Sequence, residues 1–203
     1  MPLWTDRILP HLVHCTLRSR EIGEVRSRYL GGVDGTVLEI GFGSGLNLPH
    51  LSGVAKLYAV EPSGTAWELA RKAVARAPFP VERIAGTAEA IPLPDASMDH
   101  AVSTFTLCTI PGVAQALAEV RRVLRPGGTF RFVEHGRSPE PRVARWQDRL
   151  TPLQKRVAGG CHLNRDIEAL IRGAGFRIER LDRFHVQGPR IGTHIHAGTA
   201  VKG

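Results

Sequence analysis

A chain of 203 residues, 42% hydrophobic and 23% charged, has the size of one α/β domain and the composition of a globular protein, which excludes a disordered or fibrous class. No apolar run reaches the roughly 18 residues that a membrane-crossing helix needs. The net charge of +8 rests on 27 basic residues, of which only four are lysine; they are interspersed with acids and form no run, which argues for a solvated arginine-rich surface over a nucleic-acid partner.

Residues 6–30 mix Leu, Ile and Val with Arg and Glu at helical spacing, and Gly31-Gly32 stops the run. The preceding Met1–Arg7 stretch leads into mixed charge instead of an apolar leader core, so the cytoplasm is the expected address, without stable membrane insertion. Thr36–Ile40 reads as a buried strand, followed by a glycine-rich turn and a helix from about Leu46. Leu57–Val60 repeats the pattern and leads into a helix over Thr65–Arg76. Val81–Ala85 and Met98–Ser103 supply two more strands, and a helix follows over Val113–Leu124. Arg125-Pro126-Gly127-Gly128 is a turn, and Thr129–Val133 a fifth strand. Pro139, Pro141 and Pro152 then break the rhythm around a helical patch near Trp146, so residues 137–163 read as an insertion or lid. A helix over Arg165–Gly173 and two β-like runs, Phe176–His185 and about Thr193–Val201, close the chain. Repeated strand–helix units imply a parallel, doubly wound sheet, here in one domain spanning 1–203 with residues 1–32 as a helical cap.

The turn after the first strand, Glu39-Ile40-Gly41-Phe42-Gly43-Ser44-Gly45, lets backbone approach a ligand at the carboxyl edge of the sheet. A dinucleotide fingerprint would carry its third glycine at position 46, where Leu46 stands. Glu39 just before the turn also disfavours a phosphate and suits a cationic sulfonium amino acid. Glu61, after the second strand, can accept hydrogen bonds from both hydroxyls of a ribose.

The ordered set E-I-G-x-G-x-G, V-E-P, G-x-A-E-x-I-P-x-P-D-x-S-M-D and E-V-R-R-V-L-R-P-G-G, between residues 36 and 134, resembles the class I S-adenosylmethionine-dependent methyltransferases of the type 11 group. The resemblance implies a Rossmann-like, mostly parallel seven-stranded sheet with helices on both faces. It also implies that Glu39, Gly41, Gly43 and Gly45 flank the methionine part of the cofactor and that Glu61 holds the ribose. Pro62, Ala88 and Glu89 would border the adenine, and Thr104 and Leu107 would lie on the sulfur side. Beyond residue 134, Glu134-His135, Trp146-Gln147-Asp148 and Gly160-Cys161-His162-Leu163-Asn164-Arg165 are similar to the branch that includes alkyl thiol methyltransferases. The reaction so implied is methyl transfer to a small molecule, possible acceptors being a thiol and a quinone or other lipid-like group. A nucleotide-binding oxidoreductase and a non-catalytic binding module are the readings from other classes.

His135, just past a strand, is the first candidate base, with a histidine fixed by backbone hydrogen bonds as the equal alternative. His162 and Arg165 follow; Arg165 either attracts an anionic substrate or pairs with Asp166 or Glu168. Cys15, Cys108 and Cys161 contain no C-x-x-C pair, so neither a disulfide framework nor a zinc site is expected, and their wide spacing also speaks against trivalent arsenic. Cys108 is expected to pack near the pocket. His194 and His196 share one face of a strand without an identifiable third ligand. Trp146 is expected to seal the lid.

Overall fold

The computed structural model describes residues 3–203; Met1 and Pro2, with which the expected N-terminal cap begins, lie outside them. A π-helical turn, Trp4–Ile8, opens into α1 (Leu9–Leu17) and α2 (Arg20–Leu30). The helical run expected over 6–30 is therefore two helices. Ser19 breaks it: in extended conformation its side chain accepts the Ile22 N–H and caps α2.

The strands are β1 (Gly35–Ile40), β2 (Val54–Val60), β3 (Val81–Ile84), β4 (Met98–Thr104), β5 (Leu124–His135), β6 (Phe176–His185) and β7 (His194–Lys202). Between them lie α3 (Gly64–Val74), α4 (Val113–Val123), α5 (Pro141–Val157) and α6 (Ile167–Gly173). They form one seven-stranded sheet in the order β3-β2-β1-β4-β5-β7-β6. Only β7 runs against its neighbours. The turn through Pro126 and Gly127 is absorbed into β5 as a bulge, where the register with β4 slips between Met98 and His100.

Alternation along the strands builds a core on each face. Leu38, Ile40, Phe130 and Phe132 pack with Leu117 and Val120 of α4 and Ile167 and Ile171 of α6. Val37, Leu57, Ala59 and Val102 pack with Leu30 of α2 and Ala70 of α3 on the other. Large apolar side chains withdrawn from water here contribute roughly 1.5–3 kcal/mol each.

The helix expected from Leu46 is absent; only a single 3-10 turn, Leu48–His50, forms there. Gly45 sits at φ +75 and Pro49 follows closely, and the Asn47 side chain is engaged inward on Glu39 and Thr104. Residues 137–163 contain one long helix, α5, with Pro141 in its first turn, where a missing N–H costs nothing. Its entry is held by Gln147, which accepts the Ser138 N–H and donates to the Gly136 and Ile191 carbonyls. Arg137 and Asn164 both bind Asp148. Trp146 does not seal this segment: it is 55% exposed, with Arg149 over its ring.

Candidate active site

The carboxyl ends of β1, β2, β4 and β5 open into a cavity of about 1390 Å³, bordered on its far side by α1, the start of α2 and the C-terminal end of α5. That exceeds the roughly 300–1,000 Å³ of an ordinary small-molecule site, so one ligand leaves room for a second.

At its sheet end lies the glycine turn. Gly41 N and Phe42 N both donate to Val60 O, tying the turn to β2. A Cβ on Gly41 (φ +67) would lie 2.2 Å from the Thr106 side chain, so the turn and the segment after β4 meet only because this residue is glycine. Gly43 (φ +60) faces open space, its nearest neighbour being Gly41 O at 3.9 Å. Glu61 spans the two turns: Oε2 accepts the Gly43 N–H at 2.7 Å and Oε1 the Ser63 N–H at 2.7 Å. Burial raises its pKa, opposed by those two N–H groups. A carboxylate has about four acceptor positions, and the two left over on this cavity-lining group suit a vicinal diol. The open cradle at Gly43 and the half-used carboxylate beside it fit an adenosyl ligand.

Behind the turn stands a buried polar network. Asn47 Nδ2 donates to Glu39 Oε1 at 2.8 Å and Thr104 Oγ1 at 3.0 Å, while Arg26 Nε donates to Asn47 Oδ1 at 2.9 Å. Complete burial lifts Glu39 to about 8, against the pull of Asn47 and Arg26. Burial likewise lowers Arg26 to about 10.

The segment after β4 is pinned by a second buried acid. Glu134 Oε1 accepts the Ser103 hydroxyl at 2.6 Å, and Oε2 accepts the N–H groups of Thr106 (2.8 Å) and Leu107 (3.0 Å). Burial pushes its carboxyl well above the usual range. Phe105, in this segment, holds φ +54, a conformation an aromatic residue rarely adopts, and its ring lies under Arg26. Strain of this kind collects where surrounding contacts fix a functional segment.

Away from the glycine turn, Cys108, His135 and Cys161 meet. One ligating atom from each lies within 4.8 Å of the others, and Cys161 Sγ is 4.0 Å from His135 Nδ1. The His135 Nε2 atom is buried without a hydrogen-bond partner. A hydrogen bond to Cys161, with burial, raises the Cys108 thiol, and the same bond lowers Cys161. Spacing along the chain hides this cluster because the three residues come from three separate segments.

Of the residues expected from sequence, Gly41, Gly43, Glu61, Pro62, Ala88, Glu89 and His135 line the cavity, as does Cys108. Glu39, Thr104 and Leu107 do not. The first two belong to the network behind the turn, and Leu107 is fully buried in the core. Gly45 lines a smaller cleft on the other side of the turn. His162 also lies off the cavity wall and hydrogen-bonds the Cys108 carbonyl. Arg165 pairs with neither Asp166 nor Glu168; it donates to the Leu107 carbonyl, while Glu168 binds Arg172 and Arg183. The sequence reading missed Asn47, Thr106 and Cys161. Only Cys161 carried a signal, the G-C-x-x-x-R segment.

Residues 38–132 match the model of the methyltransferase domain family. The chain is 33% identical over 184 residues to the human thiol S-methyltransferase TMT1B, covering 85% of this chain and 74% of that one. Against the rat protein of the same name the identity is 34% over 151 residues, which is 72% of this chain and 62% of the relative. A ubiquinone/menaquinone biosynthesis C-methyltransferase, UbiE, from Methylobacterium nodulans is 34% identical over 125 residues, 59% of this chain and 46% of that one. Among solved structures, a SAM-dependent methyltransferase from Thermotoga maritima superposes with a TM-score of 0.70 at 24% identity over the full length of both chains.

Proposed function

The chain belongs to the S-adenosylmethionine-dependent methyltransferases, and from that premise we propose that it methylates the sulfur of a small, largely apolar thiol. The observation that carries this reading is the cavity itself. Besides Gly43 and Glu61, its lining includes Leu9, Leu12 and Val13 of α1 and Cys108, His135 and Cys161, which this reading takes as the acceptor chamber. The thiol S-methyltransferase relatives support the same acceptor class.

In this account Gly41 and Gly43 take the amino-acid end of the cofactor, Glu61 its ribose, and Pro62, Ala88 and Glu89 the adenine side. The bound cofactor supplies an electrophilic methyl on a sulfonium sulfur. The protein's own task is to hold the acceptor sulfur about 3 Å from that carbon and to exclude water, since positioning accounts for most of the attainable rate. A thiol needs little base strength, because the thiolate is the reactive form. His135 is the cavity-lining group able to take the thiol proton. Residues 3–32 act as a cap and 137–163 as a lid over the acceptor chamber of a single domain. The setting is the cytoplasm and the substrate a small molecule, without a nucleic-acid partner.

A quinol acceptor is the second reading, supported by the apolar α1 wall and by the UbiE relative. Release of demethylated cofactor should be followed with alkyl and aryl thiols and with demethylated quinols. The proposal expects turnover with the thiols; turnover with quinols alone overturns it.

A further inference from the structure

We propose that Cys108, His135 and Cys161 form a three-ligand site for a thiophilic divalent cation of the zinc class, with its fourth position open to the acceptor chamber. The inference rests on the thiol reading above only for what occupies that fourth position.

Two thiol sulfurs and an imidazole are a donor set suited to a borderline-soft d10 ion, and three protein ligands with one open position are the arrangement of catalytic zinc. Tetrahedral bonds of about 2.3 Å to sulfur and 2.0–2.1 Å to nitrogen place a sulfur and a nitrogen ligand roughly 3.6 Å apart. The Cys161 Sγ to His135 Nδ1 separation of 4.0 Å needs only a few tenths of an ångström of closure. The His135 ring is 6% exposed, so its Nδ1 is held beside Cys161 and away from bulk water. The sulfurs are weakly held as well: Cys108 Sγ meets only the Phe105 carbonyl at 3.8 Å and the Thr109 hydroxyl at 3.5 Å besides the cluster. All three residues line the same cavity as Glu61, which places the open position in the chamber the acceptor enters. Charge closes too, because a divalent ion with two thiolates is neutral.

With the ion bound, His135 is a ligand in place of a base, and an acceptor thiol entering the fourth position loses its proton to solvent and binds as thiolate, since coordination deprotonates a thiol outright. Its sulfur lone pair then forms the new carbon–sulfur bond. The electron pair of the breaking sulfonium bond stays on the donor sulfur, so neither an oxidant nor a reductant is involved. The thioether product carries no charge and is a weaker ligand, which favours its release.

The test is titration of the full chain, kept reduced by a phosphine, with cobalt(II) as the spectroscopic stand-in. One equivalent should produce thiolate-to-cobalt charge transfer with the visible bands of a tetrahedral site, and zinc should displace it. Cys161→Ser, at a partly buried position, should roughly halve the charge-transfer intensity and weaken binding by more than about tenfold. Cys15→Ser, on the exposed face of α1, should change neither. Absence of the bands, or full intensity in Cys161→Ser, overturns the site. With cobalt bound, a small thiol should add a further thiolate transition. If it does not, while the enzyme still methylates thiols, the open position is refuted. If no thiol is ever methylated but the bands follow Cys161, the metal site stands and the thiol reading falls.

Discussion

Glu61→Ala separates a ligand-holding carboxylate from a merely structural one. In the native chain the group is 6% exposed and holds the N–H groups of Gly43 and Ser63, each at 2.7 Å. Truncation frees both donors and removes the acceptors assigned to the ribose diol. Water can re-enter the opened site, so the loss is that of one poorly satisfied polar group and not the sum of four bonds. About 1–3 kcal/mol is the range for such a loss, or about 5- to 150-fold in affinity. Calorimetric titration with the demethylated cofactor reads it without turnover, and thermal unfolding of the free variant shows whether the fold persists. A folded variant that binds within twofold of the native chain would refute the ribose assignment.

Other positions give sharper contrasts. Gly41→Ala should destabilise the fold by more than about 2 kcal/mol in denaturant unfolding, because its Cβ meets Thr106 at 2.2 Å as well as a left-handed backbone. Gly43→Ala, facing open space, should cost only about 1–2 kcal/mol of stability, yet weaken cofactor binding more than tenfold; equal stability losses at the two glycines would contradict this. Glu134→Gln, keeping an oxygen for the Thr106 and Leu107 N–H groups, should unfold within about 1 kcal/mol of native, whereas Glu134→Ala should cost about 3 kcal/mol by stranding three donors. His194, 3% exposed with neither ring nitrogen bonded, is lowered by burial to about 4. The unfolded chain therefore takes up this proton first, so stability present above about pH 6.5 is lost as pH falls toward 4. His194→Gln should flatten that window by up to about 3 kcal/mol, at about 1.36 kcal/mol per pKa unit; an unchanged pH slope in urea unfolding would refute it.

The strands were legible because local rules govern them: short apolar runs bounded by glycine and proline fall where β1 to β5 lie, and the turn at Gly41 and Gly43 follows from its spacing. The missing helix after Leu46 was not legible. What prevents it is long-range, the Asn47 side chain being drawn inward to Glu39 and Thr104. The break at Ser19 could have been read from its capping position before Ile22, but continuous helical periodicity on both sides concealed it. At the site, Glu61 and the glycines were visible as a motif. The cluster at Cys108, His135 and Cys161 was not, because its residues are separated in sequence and brought together by the ends of β4, β5 and α5. Arg165, read as either an attractor of an anionic substrate or a partner for Asp166 or Glu168, reaches a backbone carbonyl on another segment.

The most direct test of the central claim is a competition. The chain would be given a cofactor with a trideuterated methyl group, together with equimolar small thiol and demethylated quinol, and the products identified by mass spectrometry. The account predicts that the label appears on sulfur, as the thioether, in excess over any methylated quinol. Label found only on quinol carbon or oxygen would contradict it.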